Sequence, residues 1–411
     1  MREDWLQTTI GEVAEVVSGG TPKTKEPAYW EGGDIPWLTP TEVTAKDGQV
    51  IFDTDRKITN EGLQRSAARM LPVETVLFTS RATIGAVALA GVPMCTNQGF
   101  KSLIANEDLV LPRFLMYWVQ MNRAEFESRA SGSTFLEINK ANVQAVPVLL
   151  PPLDEQHRIV DLIEHVDGAL SACEAQLALA RQTGRTLRAD MLSQSDSFVP
   201  LGEFADVRMG RQRSPKDHDG DHMIPYLRSA NVKNNRLELS DVKEMNFTPE
   251  EQATFELRSG DVLVTEGSGS IDEVGASTAW SNEIPSPVGF QNTLIRLRSK
   301  DEGVAEQRYL LELSRWAYES GLWLDIASGT NIKHIGSRRA AAARVPLLPV
   351  SQQRTLCEQA EAVDAVVDAG ERHHQVLVKV RAQVLRAALS GEINFQETYD
   401  RFLKDTTEKV A

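Results

Sequence analysis

The stretch DEQHRIVDLIEHVDGALSACEAQLALARQTGRTLRADMLSQ, residues 154–194, decides the fold. Apolar or small residues recur in it at alternating steps of four and three: Ile159, Ile163, Val166, Leu170, Cys173, Leu177, Ala180, Gly184, Leu187 and Met191. This spacing is typical of a helix that buries one narrow stripe against a partner helix. At about 1.5 Å of rise per residue the helix would be roughly 57 Å long. The sequence therefore predicts a spacer or scaffold helix in mid-chain.

A second long helix is predicted 197 residues later, because residues 152–159 correspond to 349–356 and residues 187–192 correspond to 385–390. Its stripe is Leu356, Ala360, Val363, Val367, Gly370, His374, Leu377, Arg381, Val384 and Ala388. Two helices at this offset imply a duplicated chain. They either pack on each other, antiparallel, and hold two globular units apart, or each is a long solvated helix belonging to its own half.

The composition is that of a soluble globular protein of two or three domains, with 411 residues, 41% apolar and 25% charged. No signal peptide and no apolar run of membrane-spanning length are apparent. The three cysteines, Cys95, Cys173 and Cys357, have neither disulfide nor zinc spacing. These features predict a reducing, cytoplasmic location.

The net charge of −14 argues at first sight against binding to nucleic acid. Its distribution is even, at −4 for residues 1–153, −4 for 154–197, −4 for 198–350 and −2 for 351–411. No segment is basic as a whole. Contact with DNA would therefore depend on local clusters of cations, and partner subunits could supply further phosphate contacts.

The predicted fold class is α+β: two tandem mixed α/β domains, separated by two long helices that form an antiparallel coiled coil, as a pseudo-twofold internal repeat. The predicted boundaries are 1–153 for the first domain, 154–197 for the first helix, 198–350 for the second domain, 351–393 for the second helix and 394–411 for a tail. The two domains repeat one order of motifs. Residues 224–227 correspond to 35–38, residues 291–292 correspond to 97–98, and residues 328–330 correspond to 131–133.

The motifs of common enzymes are missing: no Walker lysine motif, HExxH, paired CxxC or strand-linked GxGxxG occurs. The glycine-bearing turn at 267–270 lacks the lysine of a phosphate loop, and the order of acidic residues at 217–222 does not match a calcium loop. His373 and His374 lie on the second long helix, where packing or solvation accounts for them. We therefore predict neither a catalytic residue nor a metal site.

Cationic and amide side chains instead recur on loops that follow predicted strands. Such side chains suit phosphates, and Arg, Gln and Asn can also form paired hydrogen bonds with guanine and adenine edges in the major groove. An ordinary charged surface loop is the competing interpretation. The predicted DNA-binding residues are Lys23, Lys25, Arg81, Asn97, Gln98 and Lys101 in the first domain, and Arg211, Gln212, Arg213, Lys216, Arg228, Asn231, Gln291 and Asn292 in the second.

These motifs resemble the specificity subunit of Type I restriction-modification enzymes, from about Trp5 to Ile393. The resemblance rests on the duplicated layout, on the PxxEQ start of the first helix at 152–156, and on LSGEI at 389–393. It also rests on GRQxSP at 210–215, PYLRxANV at 225–232 and GDVLxTEG at 260–267, which are similar to signatures of one class of target recognition domain. Gln352 departs from the pattern where the first helix has glutamate, and His374 and Arg381 interrupt the second stripe.

The resemblance implies a subunit that reads DNA and has no catalysis of its own. Each target recognition domain would read one half of a split site in double-stranded DNA, and the paired helices would fix the unread gap. Two methyltransferase subunits would bring S-adenosylmethionine, and restriction and translocase subunits would join for cleavage. The predicted subunit contacts are Ile159, Ile163, Val166, Leu170, Leu356, Val363 and Val367. The alternatives are a protein-interaction scaffold, or a nuclease or methyltransferase fused to its own reader.

Overall fold

The chain divides into two compact units. A computed structural model describes residues 5–81, 83–132, 136–214, 218–330 and 332–393. Unit 1 comprises residues 1–172 and 374–411, and unit 2 comprises residues 173–373. None of the described helices is long and apolar enough to cross a membrane. Each unit therefore takes its residues from one globular domain and from parts of both long helices.

Unit 1 begins with short elements that lead into the first long helix. Its strands are β1 (Leu6–Thr9), β2 (Ala14–Ser18), β3 (Ile35–Leu38), β4 (Val50–Ile51), β5 (Lys57–Ile58), β6 (Val76–Phe78), β7 (Val87–Ala90), β8 (Cys95–Thr96), β9 (Lys101–Ala105) and β10 (Pro147–Leu150). Its helices are α1 (Ile10–Val13), α2 (Pro40–Ala45), α3 (Asn60–Gln64), α4 (Pro112–Met121), α5 (Arg123–Ser128) and α6 (Lys140–Gln144), and then α7 (Leu153–Ser193) continues into unit 2.

Unit 2 repeats this order with a few additional strands. Its strands are β11 (Phe198–Pro200), β12 (Ala205–Met209), β13 (Met223–Leu227), β14 (Val232–Lys233), β15 (Arg236–Leu237), β16 (Lys243–Asn246), β17 (Val262–Thr265), β18 (Gly267–Ser268), β19 (Ser277–Ala279), β20 (Gly289–Phe290), β21 (Leu294–Ser299), β22 (Lys333–His334) and β23 (Arg344–Pro346). Its helices are α8 (Leu201–Phe204), α9 (Pro249–Phe255), α10 (Gln307–Glu319), α11 (Leu322–Ile326), α12 (Ser337–Ala342) and α13 (Val350–Leu389).

The main sheets of the two units have the same strand order. The order β2-β9-β6-β7 in unit 1, extended by β4, matches β12-β21-β17-β19 in unit 2. The order β5-β3-β8 matches β16-β13-β20, and the pair β1-β10 matches β11-β23. The central strand of each three-stranded sheet makes one antiparallel and one parallel pairing. The predicted duplication of mixed α/β domains is confirmed.

The two long helices were also predicted correctly, and they run antiparallel within each unit. In unit 2, Cys173 Sγ donates to the Gly370 carbonyl at 3.5 Å, while Gly184, further along α7, faces Val363, earlier in α13. In unit 1, Asp167 of α7 pairs with Arg381 of α13. All the predicted stripe positions on both helices are buried or half-buried. The polar interruptions in the second stripe therefore belong to the seam.

Each core uses both long helices as one of its walls. The core of unit 1 packs Phe78, Phe114 and their neighbours against Ile159 and Ile163 of α7 and against Leu385 of α13. The core of unit 2 packs Tyr309 and Leu313 against Leu192, which lies at the other end of α7, and against Leu356 of α13. Burial of large apolar side chains such as these contributes about 1.5 to 3 kcal/mol each. Both long helices, predicted as spacers between the domains, therefore also contribute side chains to the domain cores.

One glutamine fixes the start of each long helix to its domain. Gln156 Oε1 accepts from Leu111 N at 2.9 Å, and its amide donates to the Leu109 and Pro151 carbonyls. Gln353 makes the same three bonds with Glu306 N, Val304 O and Leu348 O. These bonds give hydrogen-bond partners to backbone groups of the domain and of the segment that leads into each long helix.

The departure at Gln352 has a local explanation. Glu155, the corresponding residue of the first helix, is buried and accepts a hydrogen bond from Trp5 Nε1 at 3.3 Å. Gln352 is exposed. The glutamate of the first helix therefore serves to accept the hydrogen bond of Trp5. In both units it is the next residue, Gln156 or Gln353, that bonds the helix start to the domain.

Candidate nucleic-acid interface

Three chain segments meet at one edge of unit 1. The turn after β2 is joined to the end of β8, because Gly20 N donates to Thr96 O at 2.9 Å. The turn after β8 is joined to the end of β3, because Asn97 N donates to Leu38 O at 3.1 Å. We call this meeting of the turn after β2, the end of β3 and the turn after β8 the loop junction of unit 1. It brings the predicted residues Lys23, Asn97 and Gln98 onto neighbouring segments.

The same junction occurs in unit 2 with different side chains. Arg211 N donates to Phe290 O at 3.0 Å, and Gln291 N donates to Leu227 O at 2.8 Å. These bonds join the turn after β12, the end of β13 and the turn after β20. Arg228 follows directly on Leu227, so the junction gathers most of the residues predicted to bind DNA in this unit.

Close approach of the backbone requires glycine at the first turn of each junction. A Cβ atom on Gly19 would lie 1.9 Å from the Asn97 carbonyl oxygen, and one on Gly210 would lie 2.3 Å from the Gln291 carbonyl oxygen. Real Cβ atoms do not approach backbone oxygens so closely. The glycines noted in the sequence therefore serve to close the junction.

Arg211 does not extend freely toward a ligand. Its side chain is 11% exposed, Nε lies 2.7 Å from Glu251 Oε1, and the guanidinium lies 5.1 Å above the Phe247 ring. The structure therefore gives Arg211 an internal partner. A base contact by Arg211 would require this ion pair to break.

Arg228 is more accessible, although it is also paired. Its Nη2 donates to Asp241 Oδ2 at 2.6 Å, and a quarter of its side chain is exposed. A hydrogen bond from Lys243, assisted by Arg228, lowers the pKa of Asp241 below its ordinary value. Asp241 is thus charged at neutral pH, and DNA would compete with it for Arg228.

The geometry does not fit the prediction that Asn231 contacts DNA. Its side chain is buried, its amide donates to the Glu238 and Asp241 carbonyls, and its oxygen accepts from Arg228 N. All three bonds hold the loop after β13 in shape. Asn231 therefore positions Arg228, and sequence reasoning could not separate this role from a base contact.

The other predicted residues of unit 2 lie where a ligand could reach them. Gln212 and Arg213 are exposed, and Gln291 and Asn292 are half-buried at the junction. Lys216 lies outside the described residues.

Most of the predicted DNA-binding side chains of unit 1 are exposed. Lys23, Lys25, Gln98 and Arg81 are exposed, and Asn97 is half-buried with its side-chain oxygen accepting from Gly99 N. Lys101 is the exception, because it is 8% exposed and its Nζ lies 3.4 Å from Ser80 Oγ and 3.6 Å from Glu137 Oε1. The geometry therefore does not support Lys101 as a direct DNA contact.

Several residues predicted to contact partner subunits lie in the interior. Ile159, Ile163 and Leu356 are at most 1% exposed and belong to the cores of the two units. Val367 is buried as well, and Val166, Leu170 and Val363 are half-buried along the seam. The stripe was predicted correctly as a seam, but its burial leaves little of it for another subunit.

Sequence reasoning missed two polar residues beside the junctions. Arg56, just before β5, is exposed and stacks on tryptophan. His334 in β22 lies with Nδ1 2.9 Å from Glu266 Oε2, next to the turn after β17. Neither belongs to a motif that could have pointed to it. No group of three His, Cys, Asp or Glu side chains able to hold a metal ion occurs among the described residues.

Comparison with known proteins finds relatives of this chain. Residues 2–179 match the family described as "Type I restriction modification DNA specificity domain". The MjaIX specificity subunit of Methanocaldococcus jannaschii is 34% identical over 166 residues, 40% of this chain and 38% of that protein. The EcoKI specificity subunit of Escherichia coli is 20% identical over 96% of this chain and 90% of its own length. This chain is a relative of the Type I restriction-modification specificity subunits.

Solved structures agree with that relationship at the level of the fold. A chain from the work "Structural basis underlying complex assembly and conformational transition of the type I R-M system" superposes with a TM-score of 0.65 at 18% identity. The superposition covers 96% of this chain and 99% of the other. The chain aligns with 38% of the length of the MjaIX subunit and with 40% of the length of the EcoR124I/EcoR124II specificity subunit of Escherichia coli. The resemblance to specificity subunits drawn from the sequence is confirmed.

Proposed function

We propose that this chain is the DNA specificity subunit of a Type I restriction-modification system, and that each unit reads one half of a bipartite DNA site. The observation that carries the proposal is the loop junction, which occurs twice on one backbone plan with different side chains. A repeated scaffold with exchanged side chains suits the reading of two different sequences. An asymmetric site is the natural target of such a pair.

The charges of the junctions support DNA as the ligand, despite the acidic composition. In unit 1, Lys23, Lys25 and Arg81 are exposed at or near the junction. In unit 2, Arg213 is exposed and Arg228 is paired with Asp241. Clusters of this kind provide phosphate contacts and hydrogen bonds to base edges, and partner subunits would supply the remaining positive charge.

The proposed partners are two methyltransferase subunits, which carry S-adenosylmethionine, and restriction and translocase subunits. The chain itself has recognition as its role, with no catalytic step of its own. The proposed site of action is the cytoplasm. Methylation of an adenine requires that the base leave the helical stack, so we expect the DNA to be distorted beside each unit.

The test is to sequence the methylated bases of the host genome with and without this gene. A bipartite adenine motif that vanishes on deletion is the expected result, and a methylome that does not change would contradict the proposal. Footprinting with the methyltransferase subunits present separates DNA reading from a protein-only scaffold. Reading gives two protected tracts with an unread gap, whereas a scaffold gives no protection at any sequence.

Changing Arg228 to alanine assigns one half-site to unit 2. We expect binding to weaken by about 1 to 3 kcal/mol, and base preference to loosen in one half of the motif only, because the other junction is untouched. The matched change in unit 1 is Lys23 to alanine, which should affect the opposite half. Methylation rates on duplexes altered in one half-site at a time measure both effects. Equal weakening of both halves by either variant would contradict the assignment.

A further inference from the structure

Unit 1 contains a stacked arginine that belongs to none of the motifs discussed above. The Arg56 guanidinium lies 3.9 Å above the Trp30 ring and 5.0 Å from the Trp37 ring. The two indole rings meet edge to face with centroids 5.0 Å apart. Arg56 is exposed, and no ion pair is found for it within the described residues. An oriented and accessible cation is thus present at low conformational cost.

The same tryptophans hold the loop that begins the junction. Trp37, which is buried, donates from Nε1 to the Gly20 carbonyl at 2.9 Å. Trp30 donates from Nε1 to the Lys23 carbonyl at 3.1 Å. Arg56 therefore lies on a ring that is bonded directly to the segment carrying Lys23 and Lys25. The cluster of Arg56, Trp30 and Trp37 and the lysine loop are parts of one surface.

Unit 2 also has an arginine on an aromatic ring, at the position that corresponds to Gly20 of unit 1, but this arginine is enclosed. There Arg211 lies above Phe247, but it is 11% exposed and neutralised by Glu251. An arginine on an aromatic ring is thus used in unit 2 to fasten the junction internally. In unit 1 the stacked arginine keeps its N–H groups available, since the described residues offer it no carboxylate.

We propose that Arg56, which lies over the Trp30 ring, is a contact to a DNA backbone phosphate on the unit 1 side of the site. The proposal rests on the proposed function. The ring covers one face of the guanidinium, while the N–H donors in its plane can form the paired bonds that phosphate oxygens accept. Arg56 thus adds an oriented cation beside the loop that carries Lys23 and Lys25, because Trp30 contacts both.

The test uses the full chain assembled with its methyltransferase subunits, bound to a duplex that carries the motif found by methylome sequencing. Arg56→Ala should weaken binding about 5- to 20-fold and reduce the slope of log affinity against log salt by about 1, since one phosphate contact is lost. Arg56→Lys keeps the charge, so its salt slope should stay near that of the wild type. The loss should be the same whichever bases occupy the unit 1 half-site, because a phosphate contact carries no base information.

Lys57→Ala is the matched control, because it removes a neighbouring cation that is already paired with Asp53 at 3.0 Å. It should leave both the affinity and the salt slope near their wild-type values. Arg56→Ala behaving like Lys57→Ala would overturn the inference. So would a loosened base preference with an unchanged salt slope, which would make Arg56 a base contact. Failure of the wild-type complex to protect any sequence would instead overturn the proposed function on which the inference rests.

Discussion

Unit 1 and unit 2 share a backbone plan and differ in how they place charge along the seam of the long helices. In unit 1, Asp167 accepts from Arg381 and from the Tyr117 hydroxyl at 3.4 Å. Burial raises the pKa of Tyr117 to about 12, so the hydroxyl stays protonated and donates. In unit 2, Asp364 of α13 corresponds to Asp167 and pairs with Arg315 at 2.8 Å. The residue of α7 that corresponds to Arg381, 197 positions earlier, is Gly184.

Unit 2 adds a buried charge cluster that unit 1 lacks at the corresponding place. Glu312 lies between Arg188, at 3.1 Å, and Arg315, at 2.8 Å, and Arg188 also bonds Glu319 at 2.6 Å. Glu312 and both arginines are almost entirely buried. The two units thus share the glutamine hydrogen bonds at the start of each long helix but differ in the side chains that pack along the seam. Unit 2 depends on balanced buried charge, whereas unit 1 depends on one half-exposed pair.

The largest expected effect comes from the buried cluster. Glu312→Ala should lower the free energy of unfolding of unit 2 by about 3 to 4 kcal/mol, because Arg188 and Arg315 each lose a buried charged hydrogen bond, although Arg188 keeps Glu319 and Arg315 keeps Asp364. Tyr117→Phe, at the aligned position of unit 1, should cost no more than about 1 kcal/mol, because Asp167 keeps Arg381. Urea titration of the full chain, with hydrogen exchange to locate the loss in α10, measures both. Equal losses would contradict the contrast between the units.

An intermediate effect should follow from the anchoring glutamines, and here the two units should agree. Gln156→Ala and Gln353→Ala each remove three hydrogen bonds to the backbone, which should cost about 2 to 3 kcal/mol in either unit. The exposed neighbour Gln352 provides a control, and its change to alanine should stay within about 0.5 kcal/mol of the wild type. The same urea titrations decide the matter. If only one of the two variants lost this much unfolding free energy, the two glutamines would share their hydrogen-bond geometry but not their contribution to stability.

The smallest effects should come from two glycines that face the partner helix in unit 2. Gly184→Ala should stabilise by about 0.5 to 1 kcal/mol, since alanine favours the helix and its Cβ would meet Val363 Cγ1 at 3.4 Å. Gly370→Ala should give no gain, because its Cβ would lie 2.7 Å from Leu177 Cδ2 and force that side chain to move. Melting temperatures of the two variants test this. A gain at Gly370 as large as at Gly184 would contradict the tight fit seen there.

The scaffold could be predicted from the sequence because its signals are periodic and repeated. The first long helix was expected over 154–194 and runs over Leu153–Ser193. The correspondence of residues 35–38 with 224–227 is also seen, because both stretches lie in the central strands of matching sheets. The domain boundaries themselves remain predictions, since the contacts divide the chain at 172–173 and 373–374 within the long helices.

The loops could not be predicted to the same depth, because residue type does not tell where a side chain points. Arg211, Asn231 and Lys101 have the composition of DNA contacts, yet each is held by internal partners. Arg56 has no motif around it and is exposed on tryptophan. Arg381 breaks the apolar stripe in the sequence, yet in the structure it forms an ion pair with Asp167 across the seam. A search for apolar periodicity does not detect such a pair.

The composition of the unit 1 core has a consequence for biosynthesis. Leu385 and Ala388 complete that core, yet they leave the ribosome after every residue of unit 2 has been made. The apolar faces of α4 and of the first turns of α7 must therefore wait, open to solvent or to a chaperone, while some two hundred further residues are translated. The domain that is translated first is thus completed last. A nascent chain stalled before α13 would expose apolar surface that is prone to aggregate.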